Sequence, residues 1–442
     1  MGTTRSLCNS LLALGLIGVL GGISIGCSEA EDGNGNGDGN DDDNYVACGV
    51  PETCVPPEPP CYAGNCAGCC QDDVCVSGEE LGACGTQGMA CVACDDETLC
   101  SAGLCVDPSL EGTVIMDIAE GLEPGEFLTI TEGELAIGLP DGYDFESFSE
   151  AYLYRSRGNS SDSWGPVANW DPVTKQTYTI IDRTSAGEEC DRVAFGGYNA
   201  LTHSWMVRPL PVPSESCEDG QFFGRPHVYS SWTLASEEGR FYRPHSGDLH
   251  WFDIDTQSWD VIRDQGPQGG GIAYLPGTAE IFTLTGDGEV RAIDPVEMTS
   301  RVVGEIADYD GDGTHIGGLY NRRRDEVMFL AGSLDYAVID NEGALIQTGK
   351  APEAIRGSGS WRHEVFFYDP ISGNYLVANR DAGHLWEFSP DEQEWRMAWH
   401  RDDLEVPWAN YNGFLIAPID ELGVILWVDR QNQRVYRHQT VF

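Results

Sequence analysis

Asp308-Tyr309-Asp310-Gly311-Asp312-Gly313 is the sharpest local pattern in this 442-residue chain. Carboxylates at alternate positions converge on one hard cation and glycine permits the tight bend, so D-x-D-x-D-G opens a calcium loop. The helix-flanked version needs Glu at its twelfth position. Leu319 stands there, in a strand-like run. A plain acidic turn is the competing reading. His227, His245, His250, His315, His363, His384 and His400 fall in different segments, without metal-type pair spacing. They read as scattered structural histidines, against a metal or acid–base cluster at one end of a closed fold. The doublet Arg225-Pro226-His227 and Arg243-Pro244-His245 matches no known chemistry. Neither G-x-S-x-G, H-E-x-x-H, a P-loop nor a dinucleotide fingerprint occurs. No catalytic residue is assigned.

Cysteine is the other reactive type. Twelve of the sixteen lie close together: Cys48, Cys54, Cys61, Cys66, Cys69, Cys70, Cys75, Cys84, Cys91, Cys94, Cys100 and Cys105. So small a segment cannot bury enough apolar surface to hold itself, and an even count implies covalent staples. Six disulfides are expected, with connectivity open. Cys66-x-x-Cys69 and Cys91-x-x-Cys94 have zinc-like spacing, but no histidine lies nearby. Cys190 and Cys217 would form one further bridge, pinning an insertion. Neither has a neighbour that would activate it as a nucleophile.

The elements that must position these residues are strands. Phe366–Trp399 reads as four: Phe366–Tyr368, Asn374–Asn379, His384–Phe388 and Glu394–Trp399, separated by turn signals such as Asp369-Pro370. Apolar residues at every second position predict sheet neighbours of the same kind. Asn169–Ser204, Trp232–Ile262, Ile272–Val303, Gly318–Thr348 and Phe414–Phe442 repeat the outline. Trp170-Asp171-Pro172 answers Tyr368-Asp369-Pro370. Repeats at the length of a four-stranded blade predict an all-β fold, a β-propeller of six blades with seven as the alternative; a sandwich or solenoid competes. The last unit lacks a fourth strand. Thr113–Ile118, Glu126–Ile130 and Ala151–Tyr154 are spare strand-like runs, one of which would close the ring and remove an open edge.

These units resemble the kelch and galactose-oxidase-like propellers, through Tyr-Asp-Pro followed by a hydrophobic run and the partial glycine pairs Gly196-Gly197, Gly270-Gly271 and Gly317-Gly318. The aspartate loop resembles those in integrin-type blades. That resemblance implies calcium as a structural cofactor, held by Asp308, Asp310, Asp312 and the Thr314 carbonyl. Ile316 replaces the further Asp of that pattern.

Arg5, the apolar run Leu11–Leu20 and Ser24-Ile25-Gly26-Cys27 resemble a bacterial lipoprotein signal. The resemblance implies cleavage before Cys27, lipidation of that cysteine, and delivery to the outer membrane. An ordinary secretory signal is the alternative. Ser28–Asn44 is Gly, Asn, Asp and Glu almost throughout and reads as a flexible tether. The expected organisation is therefore signal 1–26, lipidated cysteine and acidic linker 27–44, disulfide module 45–107 and propeller 108–442. The module resembles cysteine-rich segments behind the anchor of surface lipoproteins, which implies a stalk.

The formal net charge is −47, from 72 acidic and 25 basic residues. That balance argues against nucleic acid as a partner and against an anionic membrane surface touching the body. The resulting expectation is a monomeric surface protein, attached to the membrane only through its lipid, whose propeller binds protein or glycan without catalysis. The alternative is a propeller hydrolase or lyase acting on an extracellular polymer. A His/Asp/Glu cluster at the channel mouth would favour the second.

Overall fold

The computed structural model describes residues 61, 66–72, 74–95, 98–101, 103–130, 136–138, 168–182, 193–209, 232–245, 248–256, 258–262, 271–309, 316–356, 364–379, 383–400, 415–428 and 433–442. Cys27, Cys48, Cys54, Cys190, Cys217, Asp310, Asp312, Thr314, His227, His315 and His363 lie outside them. So do the signal, the tether and Ala151–Tyr154.

Six sheets follow one another along the chain. Blade 1 is Asn169–Asp171, Gln176–Asp182, Val193–Asn199 and Ser204–Pro209, with Ala136–Gly138 added in parallel at its outer edge. Blade 2 is Thr233–Ala235, Arg240–His245, Asp248–Asp253 and Ser258–Ile262. Blade 3 is Gly271–Leu275, Glu280–Leu284, Glu289–Asp294 and Thr299–Glu305. Blade 4 is Ile316–Asn321, Glu326–Ala331, Asp335–Ile339 and Leu345–Lys350. Blade 5 is Glu364–Tyr368, Tyr375–Asn379, His384–Ser389 and Glu394–His400. Blade 6 has Leu415–Ile419, Val424–Val428 and Gln433–Tyr436 from the end of the chain. Its fourth strand is β1, Phe127–Ile130, antiparallel to Gln433–Tyr436. The first strand of each blade touches the first strands of both neighbouring blades, and blade 6 touches blade 1. The ring is closed, with six blades and not seven.

One turn builds every blade. The first two strands are joined by a connection whose last residue is left-handed: Lys175, Gly239, Ala279, Asp325, Gly373 and Gly423, at φ 54° to 74°. An Asx side chain often opens it. Asp171 accepts from the Val173 N–H and the Thr174 hydroxyl, at 3.0 and 2.6 Å. Asp369 does the same for Ser372 N–H and hydroxyl, at 2.8 and 2.6 Å. The Asx side chain imitates a backbone turn, which is why the Asp-Pro pairs mark blades in the sequence. At the axis, a Cβ on Gly318 would lie 2.5 Å from the Ile272 carbonyl, so glycine there lets two inner strands approach.

Thr113–Ile118 is not a strand. Val114–Gly121 forms helix α1, capped by the Thr113 side chain, which accepts from Met116 N–H. Ile115, Met116 and Ala119 are buried at helical spacing.

Five bridges join Cys61–Cys70, Cys66–Cys75, Cys69–Cys91, Cys84–Cys100 and Cys94–Cys105. The segment that carries them does not stand off as a spacer. Residues 59–442 form one compact unit. Leu104 and Val106 are buried in one apolar cluster with Leu110, α1, blade 6 and blade 1. Gln87 donates to the His438 carbonyl at 3.2 Å. Contacts this far apart in sequence carry no local signal.

Candidate functional site

The inner strands place equivalent residues around the axis just before each turn: Trp170, Leu234, Tyr274, Tyr320, Tyr368 and Pro418. Five of these six blades' inner strands line a cavity of about 30 Å³ with Trp170, Leu234, Tyr320, Tyr368, Pro418 and Arg322; Pro276 closes it from blade 3. That volume holds a water or two. It is far below the several hundred Å³ of a sugar- or drug-sized site.

Each tyrosine of this ring gives its hydroxyl to a carboxylate. Tyr274 donates to Glu238 at 2.9 Å, and Tyr242 donates to the same carboxylate at 2.6 Å. Tyr320 donates to Asp325 at 2.8 Å. Tyr368 lies 2.7 Å from both carboxylate oxygens of Asp420. Arg322 Nε stands 3.8 Å from Asp420 and its guanidinium 6.0 Å from the Tyr320 ring centre. Burial pushes Asp420 up to about 6, outweighing the Tyr368 hydrogen bond and the Arg322 charge, which favour its ionised form. Burial, and the carboxylates the rings donate to, raise the hydroxyls of Tyr274, Tyr320 and Tyr368 above the usual phenol value. A tyrosine held neutral by burial is a poor nucleophile. Arg322, the cation among the described residues that line the cavity, already faces a carboxylate and a ring.

Beside the mouth stands one of only two lysines in the chain. Lys175 Nζ is 2.9 Å from Asp107 and 2.9 Å from Glu421. The hydrogen bond from Lys175 holds Asp107 down at about 2. Burial would lower Lys175, but the bonds to Glu421 and Asp107 outweigh it and raise it.

A second buried network closes blade 5 against the chain end. Glu387 accepts from His438 Nε2 at 3.0 Å, Val441 N–H at 2.9 Å, and Asn374 and Thr440, each at 2.6 Å. Trp399 donates to Tyr436 at 3.0 Å, whose hydroxyl lies 3.0 Å from His438 Nδ1. Burial disfavours both charges, yet their mutual hydrogen bond raises His438 and lowers Glu387.

The described histidines of the sequence analysis lie at the opposite end of the strands. His250 pairs in register with Arg243, and His384 with His400. His384 lies 3.2 Å from the Ile355 carbonyl, and burial lowers its pKa. Among the described residues the only close groups of three metal-type side chains are cysteines that the bridges already use. Asp308 is exposed and left-handed, with φ 57°. It is the one member of the proposed calcium set within the described residues.

The tyrosine–carboxylate ring was not anticipated from the sequence. Its signal was present: an aromatic residue directly precedes the turn-opening Asx in Trp170-Asp171, Tyr320-Asn321 and Tyr368-Asp369. No helix among the described residues is long and apolar enough to cross a membrane.

No protein-family model and no curated protein matches the chain. Among solved structures it is similar to an auxiliary nutrient binding protein from Bacteroides ovatus, at 12% identity and TM-score 0.45, over 70% of this chain and 76% of that one. A protein of the same description from Bacteroides thetaiotaomicron gives 11% identity and TM-score 0.43, over 62% and 69%. Streptogramin B lyase gives 9% and 0.39, over 64% and 95%. Similarities this distant carry no functional argument, and the fold rests on the six sheets and their closed ring.

Proposed function

We propose that this chain is a lipid-anchored surface protein that displays its propeller to bind a protein or glycan and performs no catalysis. The observation that carries this reading is the pairing at the described channel mouth. Every tyrosine hydroxyl of the ring is given to a carboxylate, and the cavity admits only water. The lipobox-like run before Cys27 supplies the anchor, and the acidic stretch after it the reach. Calcium belongs to the same reading as a structural ion of the Asp308 loop.

The test is a glycan array and a pull-down with the full chain, followed by incubation with each polymer bound. Saturable binding with the polymer recovered intact is expected. Release of shortened or unsaturated products would replace this reading with the hydrolase or lyase. Fatty-acid analogue labelling of expressing cells tests the anchor separately: label on the wild type and none on Cys27→Ala is expected.

A further inference from the structure

We propose that the cysteine-rich segment is the clasp that keeps the propeller ring shut, and that its bridges are therefore a condition of ring closure. The blades are continuous in sequence everywhere except between blade 6 and blade 1. There, among the described residues, one backbone bond joins the two inner strands, from Ala168 N–H to the Ile416 carbonyl at 3.3 Å. Blade residues such as Ala168, Ala200, Ala417 and Ile419 share that seam with a filling that comes from the N-terminal side. Leu104, Val106, Leu110 and Ile115 pack between Trp170 and Tyr198 of blade 1 and Leu422, Val424 and Leu426 of blade 6. Leu104 reaches so far in that a Cβ on Gly423 would meet its Cδ1 at 2.4 Å. Asp107, two residues past the last bridged cysteine, meets Lys175 of blade 1, which meets Glu421 of blade 6. Arg437, beyond blade 6, donates to the Ala119 carbonyl at the end of α1, at 2.7 Å.

Leu104 and Val106 sit on a hairpin of three-residue strands, Leu99–Ser101 with Leu104–Val106. A pair of strands that short does not persist alone. It is held by Cys84–Cys100 and Cys94–Cys105. The buried interior of the module before this hairpin is largely sulfur: Cys66, Cys69 and Cys84. Cutting the bridges therefore removes both the module's core and the frame that aims Leu104 into the seam. Reduction of a bridge by a dithiol takes two electrons and two protons and leaves two thiols, while the dithiol closes to a cyclic disulfide.

Hydrogen–deuterium exchange on the full chain, before and after treatment with a dithiol, tests the clasp. The expected result is exchange on the order of tenfold faster or more over Phe127–Ile130, Asn169–Asp171 and Val424–Val428. Val327–Ile339 in blade 4 should keep its protection. Leu104→Asp, with all bridges intact, should give the same regional loss, since it attacks the seam and not the sulfur. Two results would overturn the proposal: unchanged seam exchange once the thiols are titratable, or acceleration spread evenly over all six blades.

Discussion

The seam between blades 3 and 4 and the seam between blades 6 and 1 solve the same packing problem with different parts. The first is filled by the blades and by Ile306 and Tyr309 of the connection between them. Phe282, Leu284, Val290 and Ala292 of blade 3 meet Val327, Phe329, Ala337 and Ile339 of blade 4, all essentially without exposure. The chain itself crosses that seam, so the blades are tethered before they pack. The second has no such tether and recruits two helical turns, a disulfide hairpin, an ion triad and a borrowed strand. Apolar burial suffices where connectivity has already reduced the entropy of docking; elsewhere cross-links and specific polar contacts are added.

The largest effect should come from the simpler seam. Phe329→Ala deletes a ring with no exposure from a close-packed cluster, and should cost about 3–5 kcal/mol. Urea denaturation should show one transition at a lower midpoint with all blades lost together. A separate early transition confined to blades 3 and 4 would mean that the seams are energetically independent. At the other seam, Lys175→Met removes the cation and leaves Glu421 largely buried without its partner. The expected cost is about 2–3 kcal/mol, below that of a fully buried pair because Asp107 is 41% exposed. The loss should be regional, read by exchange in blades 6 and 1. The Asp107–Lys175 arm of the triad should also survive mild acid, whereas burial raises Glu421, so its charge is the first lost as pH falls. Asp107 is depressed to about 2, so its contribution is full above the ordinary value of 3.8 and fades only as pH falls through 2.

Much of this architecture was legible in residue order, and the reason is the turn. Six connections close on a left-handed residue and three of them open on an Asx, Asp171, Asn321 and Asp369, so Asp-Pro pairs and strand alternation expose the blades. Glu126–Ile130 was legible as one of three candidate closing strands because blade 6 visibly lacked one, and Phe127–Ile130 is the run that fills the place. Thr113–Ile118 misleads because Val-Ile-Met-Asp-Ile has β-branched alternation, and an eight-residue helix offers barely two turns in which its period can show. The clasp was hidden for another reason. Leu104 and Gly423 are unremarkable residues whose meaning lies in a contact across most of the chain. The candidate site was half legible: the aromatic residue before four of the six turns is visible, but its carboxylate partner sits sometimes in the same turn, as Asp325, and sometimes in the next blade, as Asp420.

The blade 5–6 boundary, intermediate between the two seams, is continuous in sequence yet reinforced by the chain end. His438→Gln should cost about 1.5–3 kcal/mol, the range for a hydrogen bond to a charged group. The sign with pH follows from two opposite shifts. His438 is raised, so its contribution is full below 6.5 and is lost as pH climbs through the folded value. Glu387 is lowered, so its contribution is full above 4.5 and is lost as pH drops through the folded value. The difference between wild type and variant should be greatest between pH 4.5 and 6.5. A difference that is flat from pH 4 to 9 would show that the pair is neutral throughout.

The smallest expected effect returns to the connection that tethers blades 3 and 4, which carries the Asp308 run. Three carboxylates at alternate positions repel one another without a cation, and the glycines between them make the loop costly to order. A ligand that binds only the native state stabilises it by RT ln(1 + [L]/Kd). With Kd near the 0.1–1 mM of extracellular modules, 1 mM calcium should add roughly 0.4–1.4 kcal/mol. In a chain of this size that is about one or two degrees in melting temperature. Asp310→Ala should abolish the increment, and chelator should make wild type and variant alike. Because the apolar seam already holds blades 3 and 4, the ion should raise the melting point without changing the seam's exchange. A calcium effect as large as the loss of Lys175 would mean that this seam, too, depends on an added part. Superimposable melting curves for wild type and Asp310→Ala, with calcium and with chelator, would leave the run an acidic turn.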